Sequence, residues 1–586
     1  MSLNILNKIN GPKDLKELTS DELKTLSSEI RESLIKKVST IGGHFGPNLG
    51  MVEATIALHY VFNSPIDKIV YDVSHQSYTH KILTGRKHAF INPAQYKSVT
   101  GYTSPDESEH DFFTIGHTST SVSLACGLAK ARDIKGGDEN IIAVIGDGSL
   151  SGGEAYEGLN NAAASGKNII ILVNDNDMSI SQNYGGLYKN LALLRETNGK
   201  SENNFFKSLG FDYHYVKDGN NLESLIETFS NVKDIDHPVV VHIHTVKGKG
   251  YKDSEENKEA FHWVMPFDLK TKEPLFKNTG ETYADIAGEI LSQKARKDSS
   301  IVAITAATPG VVGLGSFRHE FKDQFVDVGI AEEHAIALAS GIASQGGKPV
   351  ASFVSSFIQR TYDQLSQDLA INNNPALIMV YWGGITDSDV THLGTFDIPL
   401  ISNIPNIVYL APTNKEEYIA MMEWGIEQDK YPVAIRVPNV GVVSTGVEVE
   451  PNFDNLNTYE KAKDGSEVAI IGLGTFYHLG EKVHEKLKET TGINATLINP
   501  RFISGIDKNL LTQLLDNHKL VITLEDGVLD GGFGEKISRF YSDKDMKVLN
   551  FGASKEFTDS VSLEELYERY HLTEELIISD IKRALK

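Results

Sequence analysis

Short apolar runs alternate with amphipathic stretches along most of the chain. Two runs rich in β-branched residues, 140–145 and 168–173, flank a small-residue helical stretch at 153–164. This pattern predicts one β-α-β unit with parallel strands, whose following loops leave the same edge of the sheet. Near the N-terminus, Thr19 and Glu22 have the spacing of a capping box, and an apolar stripe of helical period follows them.

The alternation continues through two further blocks of the chain. Strands are predicted in the second block at 301–304, 326–330, 349–353 and 376–381. Strands that alternate with helices form parallel sheets covered on both faces, and 586 residues are too many for a single core. The sequence therefore predicts an α/β fold of three domains with parallel, doubly wound sheets, at residues 1–272, 280–447 and 458–586.

Composition narrows the classes of partner. The formal net charge is −23, whereas nucleic acids and anionic membrane surfaces are bound by basic faces. No apolar stretch reaches the length of a membrane span, and no basic-then-apolar signal opens the sequence. The single cysteine, Cys126, excludes a disulfide framework and fits a reducing compartment. We therefore expect a cytoplasmic protein that binds small molecules and neither nucleic acid nor membrane.

Two polar turns follow the two strands of the predicted β-α-β unit. The first is Gly146-Asp147-Gly148, and the second ends at Asn176. Mg²⁺ takes near-octahedral oxygen ligands, which the Asp147 carboxylate, the Asn176 amide and the Met178 carbonyl would supply together with two diphosphate oxygens. Glycines beside the aspartate let the backbone approach phosphates closely. Each turn alone is commonly an ordinary loop, but the pair predicts a magnesium-held diphosphate, as in thiamine diphosphate.

Longer strings extend the likeness beyond the metal motif. Residues 72–86 read DVSHQSYTHKILTGR, and residues 327–335 read DVGIAEEHA. They resemble DVGHQAYPHKILTGR and DVAIAEQHA of the 1-deoxy-D-xylulose-5-phosphate synthase family, transketolase-like enzymes dependent on thiamine diphosphate and Mg²⁺. Shorter matches lie at 43–45 (SGHF in the family), 116–121 (GHSSTS) and 261–262 (FHAVPKFD). The resemblance implies a homodimeric transferase of isoprenoid biosynthesis that condenses pyruvate with D-glyceraldehyde 3-phosphate and releases CO₂.

The resemblance also implies roles for single residues. The first glutamate of the family's DVAIAEQHA contacts the aminopyrimidine of the cofactor, and this match falls on Glu332. A desolvated carboxyl there has a raised pKa and can hydrogen-bond a pyrimidine nitrogen. The histidines implied at or beside the reacting atoms are His44, His75, His117, His262 and His392. The implied cofactor-binding residues are His75, Gly116, His117, Ser119, Gly146, Asp147, Gly148, Ser149, Asn176, Lys247, Glu332, Phe357 and Arg360.

The sequence departs from the family's pattern in the pocket that the family uses for the acceptor aldehyde. Where the family has a tyrosine and two arginines for the acceptor phosphate, this chain has Val354, Trp382 and Asn439. A charged hydrogen bond contributes about 1.5–3 kcal/mol, so a phosphorylated acceptor should bind weakly unless another basic group compensates. The implied substrate-binding residues that remain are Arg360, Arg436 and one of Asp387 and Asp389.

Four functions fit parts of this pattern, and the synthase reaction of the family leads. A paralogue would pass the two-carbon unit from pyruvate to a different, non-phosphorylated aldehyde. A transketolase would move ketol groups between sugar phosphates, but residues 75–86 resemble the synthase. An inactive scaffold would lack Glu332 or the metal ligands, which are present. The segment after Asn183, up to about Phe206, is shorter than the family's long mobile insertion, which predicts a different opening and closing of the active site.

Overall fold

The computed structural model describes residues 3–276 and 280–586. Met1 and Ser2 of the first predicted domain, and residues 277–279, lie outside the described residues. The described chain divides into two compact units. The first unit holds residues 3–276 with Gly329–Ala331, and the second holds residues 280–328 with residues 332–586.

A parallel sheet forms the centre of the first unit. The strands of this unit are β1 (Gly43–His44), β2 (Lys68–Tyr71), β3 (Ile141–Gly146), β4 (Ile169–Asp175), β5 (Asp212–Val216), β6 (Pro238–His244) and β7 (Trp263–Val264). The sheet order is β2-β3-β4-β6-β5 with every neighbour parallel, and β1 pairs with β7 antiparallel. The strands predicted at 140–145 and 168–173 are therefore confirmed as the parallel neighbours β3 and β4.

Helices cover this sheet on both faces. They are α1 (Pro12–Leu15), α2 (Ser20–Ile41), α3 (Gly46–Gly50), α4 (Val52–Val61), α5 (Tyr78–Lys81), α6 (His88–Ile91), α7 (Ser121–Lys135), α8 (Gly153–Ala163), α9 (Gly186–Glu196), α10 (Phe205–Leu209), α11 (Leu222–Val232) and α12 (Lys252–Glu256). The predicted capping box is confirmed at α2, where Glu22 N donates to Thr19 Oγ1 at 3.3 Å and Thr19 N donates to Glu22 Oε2 at 2.9 Å.

The apolar runs of β3 and β4 are continuous because both faces of the sheet are buried. Ile142 and Val144 pack into one apolar cluster, whereas Ala143 and Ile145 pack into another on the opposite face. In register, Gly146 of β3 lies beside Asn174 of β4. The polar turns after both strands therefore leave the sheet at one edge, as predicted.

The second unit contains two sheets. The strands of the first are β8 (Ile301–Thr305), β9 (Phe325–Asp327), β10 (Lys348–Val354), β11 (Leu377–Tyr381), β12 (Val408–Leu410) and β13 (Val433–Arg436). All neighbours are parallel in the order β12-β13-β11-β10-β8-β9. The strand predicted at 326–330 was wrong beyond Asp327, because Gly329 adopts φ 73° and the extended ladder ends before it.

The other sheet of the second unit consists of β14 (Glu460–Lys463), β15 (Glu467–Gly472), β16 (Thr496–Asn499), β17 (His518–Val528) and β18 (Lys547–Ala553). Its order is β14-β16-β15-β17-β18. The edge strand β14 is antiparallel to β16, a departure from the all-parallel prediction, and it is mostly exposed since only one of its sides is paired. Both sheets lie in one compact unit, so the predicted three-domain boundaries stay a prediction.

The helices of the second unit pack around these sheets. They are α13 (Tyr283–Ala295), α14 (Phe317–Glu320), α15 (Glu332–Ser344), α16 (Asp397–Ser402), α17 (Lys415–Glu427), α18 (Tyr477–Thr491), α19 (Lys508–Gln513), α20 (Phe533–Tyr541), α21 (Leu563–Arg569) and α22 (Glu574–Ala584). Across residues 3–276 and 280–586, no helix combines the length and the apolar character needed to cross a membrane.

Candidate active site

The predicted metal ligands lie in adjacent loops of the first unit. The backbone N–H of Asp147 donates to the Asn174 carbonyl at 3.0 Å, which ties the first loop to the second. The Asp147 carboxyl is buried, and its Oδ2 accepts hydrogen bonds from Met178 N at 3.0 Å and Asn183 Nδ2 at 2.9 Å. Burial, together with the neighbouring Asp175 charge, raises the pKa of Asp147 to about 7. A cation beside this carboxylate would offset both effects.

The side chain of Asn176 fits a metal site. Its amide oxygen Oδ1 is buried and accepts no hydrogen bond from any described residue. A buried polar atom without a partner is costly, whereas an amide oxygen is a good ligand for a hard cation. Space beside the loops is limited, since a Cβ on Gly148 would lie 2.6 Å from Ser179 Oγ and 3.1 Å from Ser179 Cα. The Asp147 and Asn176 oxygens therefore fit Mg²⁺, and a side chain at position 148 would displace Ser179.

Lys247 is buried close to the same loops. Its Nζ donates to the Ser179 carbonyl at 2.6 Å and lies 3.1 Å from His262 Nδ1. Burial lowers the pKa of Lys247 to about 7. Burial and the neighbouring Lys247 also hold the pKa of His262 well below its usual range. A bound polyanion would favour the charged form of this lysine.

Three of the predicted histidines meet in the first unit. The ring centroids of His44 and His75 are 4.8 Å apart, those of His44 and His262 are 5.6 Å apart, and those of His75 and His262 are 5.3 Å apart. Asn48 Nδ2 donates to the carbonyls of His44 and His75 at 2.8 and 2.7 Å, which fixes the two loops that carry them. His117 lies in the loop before α7, so its place in this cluster stays a prediction.

Asp72 holds the predicted cofactor loop around Gly116 and Ser119. Its two carboxylate oxygens accept hydrogen bonds from Ser119 N at 2.8 Å and Ser121 N at 2.9 Å. Ser119 Oγ then donates to the Ser149 carbonyl at 2.8 Å, although Ser119 adopts φ 73°. The loop and the turn after β3 are therefore connected, as expected if both contact one ligand.

In the second unit, Glu332 begins α15 and is buried. Burial raises the pKa of this carboxyl to about 7, against the opposing effect of the Arg360 charge. Its Oε2 lies 3.9 Å from Arg360 Nη1 and has no hydrogen-bond partner among the described residues. A carboxyl in this environment holds or releases a proton near neutral pH, which suits proton exchange with a heteroaromatic nitrogen.

Three family models and a named relative bear on identity. The family model described as 1-deoxy-D-xylulose-5-phosphate synthase matches residues 6–203 and 197–245. The models of the transketolase pyrimidine binding domain and the transketolase C-terminal domain match residues 280–440 and 458–577. The 1-deoxy-D-xylulose-5-phosphate synthase of Halothermothrix orenii is 40% identical over 98% of this chain and 96% of its own. This chain belongs to the 1-deoxy-D-xylulose-5-phosphate synthase family.

Other relatives agree with this membership. The synthase of Carboxydothermus hydrogenoformans is 40% identical over 99% of both chains. A solved transketolase from Pichia stipitis covers 97% of this chain at 15% identity and a TM-score of 0.44, a likeness too low to carry an argument. The chain is thus a thiamine diphosphate-dependent transferase of the transketolase-like group that acts on small molecules.

The predicted acceptor residues of this family member are only partly available. Arg436 is buried, and its Nε donates to Asp397 Oδ2 at 2.6 Å while its Nη1 pairs with Asp526. Its charge is therefore offset inside the second unit. Trp382 is 48% exposed and Asn439 is exposed, and neither side chain carries a charge that could replace the family's arginines. The role of Arg436 in substrate binding stays a prediction.

The two candidate aspartates differ in their surroundings. Asp389 Oδ1 lies 3.2 Å from His392 Nδ1, and the His392 ring packs edge-on against Phe357 with centroids 5.6 Å apart. Burial opposes the effect, but the His392 hydrogen bond and charge hold the pKa of Asp389 at about 2. Asp387 is exposed. Asp389 is therefore the aspartate that the structure brings to His392.

Several residues of these sites were missed by the sequence reasoning. Asp72 stands inside a matched string but was given no role, and its position before a loop was the available signal. Lys258 Nζ donates to the Asn176 carbonyl at 3.0 Å. Asn183 and Tyr188 reach the Asp147 loop from a segment noted only for its length. These contacts join residues that are well separated along the chain, so no local sequence pattern predicts them.

Proposed function

We propose that this protein condenses pyruvate with D-glyceraldehyde 3-phosphate, with loss of CO₂, to form 1-deoxy-D-xylulose 5-phosphate for isoprenoid biosynthesis. The observation that carries the proposal is a buried, unpartnered Asn176 oxygen beside Asp147 at one sheet edge, in a chain of this family. The 40% identity to named synthases over nearly the full chain supports the same reaction.

The proposed cofactors are thiamine diphosphate and Mg²⁺. Asp147 and Asn176 would bind the metal through side-chain oxygens, and Met178 through its carbonyl. Lys247 would offset diphosphate charge, and Gly148 would admit the phosphates next to the backbone. When bound, thiamine diphosphate supplies the carbon nucleophile that decarboxylates a 2-keto acid and transfers a two-carbon unit.

Glu332 is proposed to hold a proton at its Oε2 and exchange it with the aminopyrimidine. Its pKa of about 7 lets both protonation states form at neutral pH. Arg360, at 3.9 Å, limits how far burial can raise the pKa of this carboxyl. Phe357 would pack against the pyrimidine ring.

The histidine cluster is proposed to serve the substrate oxygens. His262 Nδ1 lies 3.1 Å from Lys247 Nζ, and in the proposed tautomer Nδ1 accepts from Lys247 while Nε2 carries the proton of the neutral imidazole. With its pKa held low, His262 would act as a neutral hydrogen-bond donor to developing negative charge. The His44 ring packs edge-to-face against His262 and the His75 ring is tilted against it; both would complete the donor set, with His117 joining from its loop.

The remaining proposals concern organisation. The domain bounds 1–272, 280–447 and 458–586 are supported by family models that match within each range. A homodimer is proposed because dimers with two-fold symmetry are the commonest soluble homo-oligomers. The single cysteine supports a reducing cytoplasm as the place of action.

The test is product formation followed by NMR from purified protein with thiamine diphosphate, Mg²⁺, pyruvate and either D-glyceraldehyde 3-phosphate or D-glyceraldehyde. Efficient formation of the deoxyxylulose phosphate supports the proposal. Turnover of pyruvate with D-glyceraldehyde alone would overturn the assigned acceptor. Asp147→Ala is the matched control, since it should abolish metal-dependent cofactor binding and product formation together while the protein stays folded.

A further inference from the structure

One helix beside the metal loops reaches both of them. α9 buries Leu191 and Leu194 in the core of the first unit, which fixes the helix against the sheet. It lies in the segment that the resemblance predicts to be shorter than in the family. The family model matches the chain in two pieces that overlap at residues 197–203, directly after this helix.

The first metal loop, Gly146-Asp147-Gly148, is contacted both at its backbone and at its carboxylate. Tyr188, on α9, directs its hydroxyl to the backbone carbonyls of Asp147 and Gly148 at 3.2 and 3.3 Å. Just before the helix, Asn183 Nδ2 donates to Asp147 Oδ2 at 2.9 Å. The backbone and the carboxylate of the predicted ligand are thus both oriented from the same segment.

Arg195, at the end of α9, contacts the second metal loop, which follows β4 and carries Asn176. Its Nη1 lies 2.8 and 2.7 Å from the two carboxylate oxygens of Asp175, and its Nη2 donates to Asp177 Oδ1 at 2.8 Å. Asp175 is fully buried and also lies 2.9 Å from His242 Nε2. These two aspartates flank Asn176, so one guanidinium spans the predicted ligand.

The backbone between the ligands turns at Asp177. This residue adopts φ 60°, a left-handed conformation that few residues with a Cβ adopt and that aspartate adopts more readily than most. This turn brings Met178 N to Asp147 Oδ2. Such a conformation persists where surrounding contacts hold it in place, and the Arg195 contact to Asp177 is one of them.

We propose that Tyr188 and Arg195 are positioning residues that hold both loops in their metal-binding geometry, so that α9 is a fixed clasp on the diphosphate–magnesium site. The inference rests on the metal site of the proposed function. Residues that orient metal ligands usually change metal affinity about 10- to 100-fold when they are replaced. A segment that serves only to complete the fold would change stability without changing the metal affinity of the folded protein.

The experiment is calorimetric titration of Mg²⁺ into full-length protein with saturating thiamine diphosphate. Arg195→Gln is expected to weaken Mg²⁺ binding about 10- to 100-fold, and Tyr188→Phe a few-fold. Arg195→Lys, which can still pair with one carboxylate, should recover part of the loss. Lys189→Gln, an exposed change on the same helix, should bind Mg²⁺ like the unmodified protein. At saturating Mg²⁺, kcat of Lys189→Gln should stay within about twofold of the unmodified value.

Unchanged Mg²⁺ affinity in folded Arg195→Gln and Tyr188→Phe would overturn the clasp. If Arg195→Gln does not fold, Tyr188→Phe, which removes one hydroxyl group, decides the matter, and unmodified affinity there overturns the inference. If the unmodified protein binds no thiamine diphosphate with Mg²⁺, the proposed function falls and the clasp falls with it. The two failures are therefore distinguishable.

Discussion

Two buried basic side chains, Lys247 in the first unit and Arg436 in the second, have pKa values that their surroundings shift in opposite directions. Lys247 contacts the Ser179 carbonyl and the His262 ring, and burial lowers the pKa of its amine to about 7. Arg436 is equally enclosed, but Asp397 and Asp526 face it, and its pKa is raised well above the usual value despite burial.

Lys247 therefore belongs to a site that favours an added anion, whereas Arg436 belongs to an ion pair that is already complete. A buried charge without a counter-charge is unstable until a ligand supplies one.

Two buried carboxyls of the second unit, Glu332 and Glu525, differ in a similar way. Burial raises both pKa values to about 7, but Glu525 accepts backbone hydrogen bonds from Phe533 and Gly534 at 2.8 and 2.7 Å, whereas Glu332 Oε2 accepts none among the described residues.

The largest expected effect contrasts these two carboxyls. Glu332→Ala should lower turnover about 10²- to 10⁴-fold, since it removes a proton-transfer group while leaving the fold intact. Glu525→Ala should leave kcat nearly unchanged and lower stability, because it frees two backbone donors at the start of α20. Steady-state kinetics and thermal unfolding measure both. Equal losses of turnover in the two variants would remove the distinction.

Replacement of the two cations by methionine sharpens the first comparison. Arg436→Met should lower the free energy of unfolding by about 3–5 kcal/mol, because two buried carboxylates lose their partner. Lys247→Met should leave the stability of the cofactor-free protein unchanged or higher, and should weaken thiamine diphosphate binding. Chemical denaturation with and without cofactor gives both results. Similar destabilisation by the two changes would contradict the comparison.

The pH dependence of the free energy of unfolding tests whether the Glu332 carboxyl is desolvated. Its pKa of about 7 in the folded protein exceeds the ordinary 4.5, so the native state binds more protons between these values. The stability of the unmodified protein relative to Glu332→Gln should therefore fall as pH rises from 4.5 to 7, by on the order of 3 kcal/mol. Denaturation at several pH values measures this difference. A difference that stays constant across the window would show that the carboxyl is not desolvated.

The smallest expected effect concerns the acceptor. Asn439→Arg adds a cation at an exposed position, so KM for D-glyceraldehyde 3-phosphate should fall a few-fold. KM for D-glyceraldehyde should not change, since that aldehyde carries no phosphate. Asn439→Gln is the control for side-chain size. An unchanged or higher KM for the phosphorylated aldehyde would count against the assignment of this pocket.

Local pattern was sufficient for the elements that carry the metal site. The β-branched runs at 140–145 and 168–173 are buried on both faces, so their period and length predict adjacent parallel strands. Glycine and aspartate after one strand and asparagine after the next then fall at one sheet edge. The strand predicted at 326–330 shows the limit, because a single glycine with positive φ ended it early.

What the sequence determined by itself is the fold class, the family and the identity of the residues at the sheet edge, because these depend on residue type and short-range spacing. The tertiary structure alone decided which charges are offset. Arg436 meets Asp397 and Asp526 across 39 and 90 residues of chain, and Arg195 reaches Asp175 across 20. Burial and counter-charge at such separations arise only after packing, and they distinguish Lys247 from Arg436.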